Sequence, residues 1–169
     1  MAIYFKKEEF SERKSKVIKE LKKQNLDALL MFRQESMYWL TGYDTFGFVF
    51  FQCLILTVKG DLILLTRAPD LRQAQNTSII NDIRIWVDKD KSNPTDELKK
   101  ILSELGLEKS NLGIEYEAYG LTGRNAIRLN NAASFICSEF VIRPPCLSLL
   151  HVPMLCTKHQ YDHSCFEEN

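Results

Sequence analysis

Apolar residues recur along this chain with two different periods, and the changes of period mark its elements. Between Lys7 and Gln24, Phe10, Val17, Ile18 and Leu21 form a narrow stripe at helical spacing in a segment otherwise dense in charge. Asn25 suits the left-handed residue that closes such a helix. Ala28–Phe32, ALLMF, is continuously apolar, which predicts a central strand covered on both faces. A brief helix through Tyr38–Leu40 follows, capped near Ser36 and ended by Gly42, where the missing Cβ permits a positive φ. Cys53–Val58 and Leu62–Thr66 flank Lys59-Gly60-Asp61 and predict an antiparallel hairpin.

Beyond Arg67 and Pro69 the pattern predicts a short helix at Leu71–Gln75 and an alternating strand at Ile83–Val87. Asn93-Pro94-Thr95-Asp96 is a helix start, with asparagine at the cap and proline at the first helical position. Leu98, Ile101, Leu102 and Leu105 continue that helix to Gly106. Leu112–Ile114 reads as a strand, Leu121–Leu129 as a helix capped near Thr122, and Ala133–Phe140 as a last strand. Strands alternating with helices, plus one hairpin, predict an α/β domain over residues 1–140. Its sheet is mixed and mostly parallel, and helices flank it. Residues 141–169 form a divergent tail in which Pro144-Pro145 and Pro153 oppose any regular period.

Composition narrows the function classes. The 169 residues are 45% hydrophobic and 26% charged, and 22 basic residues balance 22 acidic ones, so no general field draws nucleic acid or an anionic membrane. Neither is expected as a partner. The longest apolar run, Phe46 to Val58, is too short to cross a hydrocarbon layer of roughly 30 Å. MAIYFKKEEF carries no apolar stretch of the signal-peptide kind, which makes the cytoplasm the expected compartment and disulfides unexpected. Cysteine usage separates body from tail: Cys53 stands alone in the first 136 residues, while Cys137, Cys146, Cys156 and Cys165 follow.

The candidate chemistry gathers between Glu35 and Gln75. Tyr38, Trp39, Tyr43, Phe46, Phe48, Phe50 and Phe51 fall within fourteen residues, more aromatic surface than one short core segment needs. Tyr43, Asp44, Phe46 and Phe48 are candidates for a rim that covers an apolar substrate or partner, with Asp44 available to a cation. The alternative is that they cap the loop and fill the core. Phe50 and Phe51 are expected on opposite faces of a strand, so at least one belongs to the core. Arg67, Asp70 and Arg72 follow a strand, as a guanidinium clamp for a carboxylate or as an Arg–Asp network that fixes the loop. Glu115 and Glu117 beside Tyr116 and Tyr119 invite a general-acid reading, which needs a cleft and a shifted pKa. In the tail, Cys156, His159, His163 and Cys165 are a weak zinc set, since one residue between His163 and Cys165 strains a tetrahedral chelate.

Two motifs carry a resemblance. The order helix, strand, YWLTGYD loop, hairpin, TRAPDLRQA, DIRIWVD, helix and LGIEYEAYGLT resembles the N-terminal domain of the creatinase, prolidase and aminopeptidase P family over about residues 5 to 136. The resemblance implies a non-catalytic domain that contributes dimer contacts, with a homodimer or a family-related subunit as partner, and that helps close a substrate site. In that family a separate pita-bread domain carries the chemistry, usually with two divalent metal ions, and these residues hold no counterpart of its ligands. No cofactor is expected in this chain, and it is expected to be inactive by itself. Phe48 falls where creatinase-like members place a substrate-contacting aromatic; Phe50 stands where those members can carry arginine, so creatinase-type substrate preference is not implied. Two further readings accompany this one: a truncated or frame-shifted peptidase fragment, and an independent small-molecule-binding domain.

Overall fold

The structure, a computed structural model, describes residues 5–134 and 137–143. Helix α1 (Lys7–Lys23) leads to β1 (Ala28–Met31), α2 (Gln34–Thr41), a 3₁₀ turn at Phe46–Val49, β2 (Cys53–Thr57) and β3 (Leu62–Arg67). A second 3₁₀ turn (Ala68–Asp70), α3 (Leu71–Thr77), β4 (Asp82–Trp86), α4 (Pro94–Glu104), β5 (Ser110–Glu115), α5 (Gly123–Ser134) and β6 (Cys137–Arg143) complete it.

The strand order is β4-β3-β2-β1-β5-β6. β2 pairs antiparallel with both β1 and β3, whereas β1–β5, β3–β4 and β5–β6 are parallel. Five strands therefore run one way and β2 alone runs against them, the mixed, mostly parallel sheet that the pattern predicts. The carboxyl ends of β1, β3, β4, β5 and β6 lie on one edge of the sheet, together with the entry to β2. Ligands of open α/β sheets bind outside such carboxyl ends, and the aromatic segment lies on this edge.

Helices cover both faces, which is why β1 and β2 read as unbroken apolar runs. Ala28, Leu30, Cys53 and Ile55 face one core with Leu98, Ile101 and Leu102 of α4 and Leu129 of α5. Leu29, Met31, Leu54 and Leu56 face the other with Val17 and Leu21 of α1, Met37 and Leu40 of α2, and Ala74 of α3. Each Val, Leu, Ile or Met side chain among them contributes about 1.5–3 kcal/mol of transfer free energy on burial. Cys53 sits wholly inside. Burial, and to a lesser degree the charge of Glu115, pushes its thiol pKa well up. A raised pKa means that the unfolded chain releases this proton first. The stabilisation is complete below the ordinary thiol pKa and is lost as pH rises toward the folded value, at up to about 1.4 kcal/mol per pH unit. Urea unfolding at successive pH values above 8.5 is expected to show a decline in stability that Cys53→Ala flattens; parallel declines in the two proteins would refute it.

Three local expectations change. α2 runs from Gln34, so Ser36 lies inside it rather than at its cap; the cap residue is Arg33, which makes no side-chain cap bond. α5 extends through Ala133 and Ser134, and the last strand starts at Cys137 and runs to Arg143. The helix wins there because its Leu129, with Leu121 just ahead of its first turn, is buried in the core, and tertiary anchoring lets a helical period outlast a local strand preference. By contrast Asn93 accepts from the Thr95 amide as the sequence suggests, and Gly42, at φ 79°, ends α2 with its N–H on the Tyr38 carbonyl. The tail from residue 144 onward, with Cys156, His159, His163 and Cys165, lies outside the described residues.

Candidate functional site

The aromatic segment is held in place by contacts that reach across the chain. Thr45 opens the 3₁₀ turn by accepting from the Gly47 amide at 2.9 Å, and its hydroxyl donates to Asp70 Oδ1 at 3.2 Å. Asp70 Oδ2 accepts from Arg67 Nε at 3.1 Å, and the same guanidinium lies 3.4 Å over the Phe50 ring. Gly47 is packed so closely on Asp70 that a Cβ there would come within 2.4 Å of its carboxylate. Arg67 and Asp70 are thereby spent on internal contacts, the arrangement of a loop-fixing network. Arg72 is exposed and its side chain forms no hydrogen bond or ion pair among the described residues, so no guanidinium pair is assembled into a clamp.

The second half of the site comes from the far end of the chain. Glu115, at the end of β5, is buried: its Oε2 accepts from the amides of Phe32 and Arg33 at 3.2 and 3.3 Å, and its Oε1 from Ser36 Oγ at 2.7 Å. An anion thus sits at the amino end of α2, where the orphan N–H groups and the helix dipole favour it. With its oxygens committed to these donors, Glu115 is a cap supplied by another strand and not a general acid. Just beyond it, Tyr119 meets Phe48 edge to face at 5.8 Å, and Gly120 lies against the Phe50 backbone. The aromatic stretch that follows the YWLTGYD loop therefore touches the LGIEYEAYGLT segment.

Burial sorts the aromatics. Tyr43 is fully enclosed, which removes it from the rim: its hydroxyl lies 2.9 Å from Gln52 Oε1 and 3.2 Å from Thr66 Oγ1. Burial raises its pKa, against the lowering effect of the Thr66 hydrogen bond. Phe51 is core, stacked edge to face on Phe32, and Trp86 donates its indole N–H to the Phe51 carbonyl at 3.0 Å. Phe46 is 89% exposed; Phe48, Val49, Phe50 and Tyr119 also reach the surface. Asp44 is exposed beside them, its backbone N–H donating to the Thr77 hydroxyl oxygen at 3.2 Å.

A cleft of about 850 Å³ opens next to this platform, lined by Phe32, Arg33, Glu35, Phe48, Glu117 and Tyr119 among others. Arg33 pairs with Glu35 at 3.6 Å. Neither Val49 nor the role of Glu115 is visible in the sequence alone, because the contacts of Glu115 span 79 to 83 residues. Among the described residues no three His, Cys, Asp or Glu side chains are grouped to hold a metal ion. Among the described residues the buried carboxylates Glu115 and Asp70 are already committed to protein donors. No helix among the described residues is long and apolar enough to cross a membrane.

Comparison with known proteins gives one family. Residues 13–142 match the Creatinase/Prolidase N-terminal domain. The ectoine hydrolase of Halomonas elongata is 29% identical over 126 residues, covering 70% of this chain and 32% of that protein. A dipeptidase from Pyrococcus horikoshii superposes with a TM-score of 0.61 at 25% identity, over 82% of this chain and 35% of the other. An Xaa-Pro aminopeptidase structure from Streptococcus pyogenes, 16% identical, shares the fold with a TM-score of 0.67 over 86% of this chain and 99% of that one. The chain spans about a third of the length of the curated relatives it matches.

Proposed function

Because the chain belongs to the creatinase/prolidase N-terminal domain family, we propose that it is the non-catalytic partner in a cytoplasmic metallohydrolase assembly. Its aromatic platform docks on a catalytic domain of the pita-bread type and helps to close that domain's substrate site, in a homodimer or with a family-related subunit. The two divalent metal ions of such an assembly belong to the catalytic domain. The observation that carries this reading is the exposed cluster Phe46, Phe48, Val49, Phe50 and Tyr119, set on the carboxyl edge of the sheet over a rigid base. Large exposed aromatics on a fixed backbone are what interfaces use as anchors, because little side-chain entropy is lost on docking. Covering Phe46 alone would contribute roughly 2–3 kcal/mol.

Mixing the purified chain with the separately produced catalytic domain of a family hydrolase tests this directly. Association in sedimentation velocity and a rise in kcat/KM are expected, and Phe46→Ser with Phe48→Ala should weaken the association at least tenfold. Absence of any association, or association unchanged in the double variant, would overturn the assignment.

A further inference from the structure

The same edge of the sheet holds a second cleft, of about 1080 Å³, separated from the first by Val49, which lines both. Phe50, Phe51 and Trp86 form its apolar floor, the loop after β4 one wall, and the first turns of α5 the other. Four cations converge on it: Lys89 and Lys91 from the loop, and Arg124 and Arg128 from α5. None of these four side chains forms a hydrogen bond or ion pair among the described residues. Arg124 and Arg128 are four residues apart and so share one helical face. Two carboxylates also line the cleft. Asp88 lies 3.9 Å from Arg67 Nη1 and is partly balanced by it, and Asp90 remains. The lining is therefore net positive in a chain whose total charge is zero.

We propose that this cleft binds a small organic anion carrying two or more negative charges, a phosphate ester or a polycarboxylate. Unpaired guanidiniums form bidentate bonds to planar or tetrahedral oxyanions, and the lysine loop faces them across an aromatic floor on which an organic body can rest. The cleft shares Val49 and Phe50 with the docking platform, but the four cations that carry the assignment lie outside that platform, and its anchors Phe46 and Phe48 do not line the cleft.

Trp86 supplies the reporter, since Trp39→Phe leaves it as the only tryptophan of the two in the chain. Titration of that protein with pyrophosphate in 150 mM NaCl, at matched ionic strength, is expected to give a saturable change in Trp86 emission, with citrate as the parallel polycarboxylate probe. Preference for pyrophosphate would support a phosphate ester, and equal or stronger binding of citrate a polycarboxylate. Arg124→Ala with Arg128→Ala should weaken binding at least tenfold, as should Lys89→Glu with Lys91→Glu on the opposite wall. Lys16→Ala with Lys19→Ala on the exposed face of α1 should leave it unchanged. Failure of both anions to saturate, or binding that either cleft variant leaves intact, would overturn the proposal.

Discussion

Glu115→Ala is expected to lower the unfolding free energy by about 3 kcal/mol, the largest effect of a single side-chain truncation outside the apolar core. The carboxylate accepts from two backbone amides and a serine hydroxyl in a buried setting. Each donor left without a partner costs about 1–3 kcal/mol, and relief from burying a charge offsets part of the sum. Loss of the anion from the amino end of α2 acts in the same direction. Glu115→Gln keeps one acceptor but turns an amide N–H₂ toward donors, so it should lose about half as much. Denaturant titration of the three proteins gives the ranking. Equal midpoints for wild type and Glu115→Ala would show that the cap contributes nothing to stability.

Gly120→Ala should damage both the fold and the platform. A Cβ at this position would lie 2.1 Å from the Phe50 carbonyl oxygen and 2.8 Å from its carbonyl carbon, a clash with backbone that no rotamer relieves. The loop must withdraw by about an ångström, at a cost of about 2–3 kcal/mol. The movement also separates Tyr119 from Phe48, whose rings now meet at 5.8 Å. Loss of the Phe48 ring-current shift in NMR spectra should therefore accompany the fall in stability, and association with a catalytic domain should weaken. Gly123→Ala is the control, because a Cβ there meets nothing within 4 Å. If Gly120→Ala left both the spectrum and the unfolding midpoint unchanged, the close approach of these two loops would be disproved.

These two residues also show where reading the chain reaches its limit. Glu115 and Tyr119 stand beside Glu117 and Tyr116 in a segment whose composition suits acid catalysis as well as anything else. What assigns Glu115 is the parallel pairing of β5 with β1, which brings its carboxylate to the amides of Phe32 and Arg33. Tyr43 makes the converse case. As one aromatic among seven it belongs with the rim in sequence, and it is enclosed because Thr41, Gln52 and Thr66 provide hydrogen bonds for its polar groups inside. Arg67 and Arg72, alike in the sequence, separate for a similar reason: Asp70 and the Phe50 ring occupy the first, and the second lies exposed.

By itself the sequence determined the element types and their order, the hairpin, the caps at Asn93 and Gly42, the two-sided burial of the central strands, and the family resemblance. These follow from local rules: the spacing of apolar residues, glycine's freedom at positive φ, and the motifs themselves. Tertiary structure alone decided the strand order and that β2, not β3, is the reversed strand of the hairpin, and which aromatics of the 38–51 stretch are core and which are surface. It also brought the aromatic stretch into contact with the LGIEYEAYGLT segment and gathered four unpaired cations over Trp86. Each of these depends on pairing between segments far apart in the chain, and a short window of sequence contains no term for that contact.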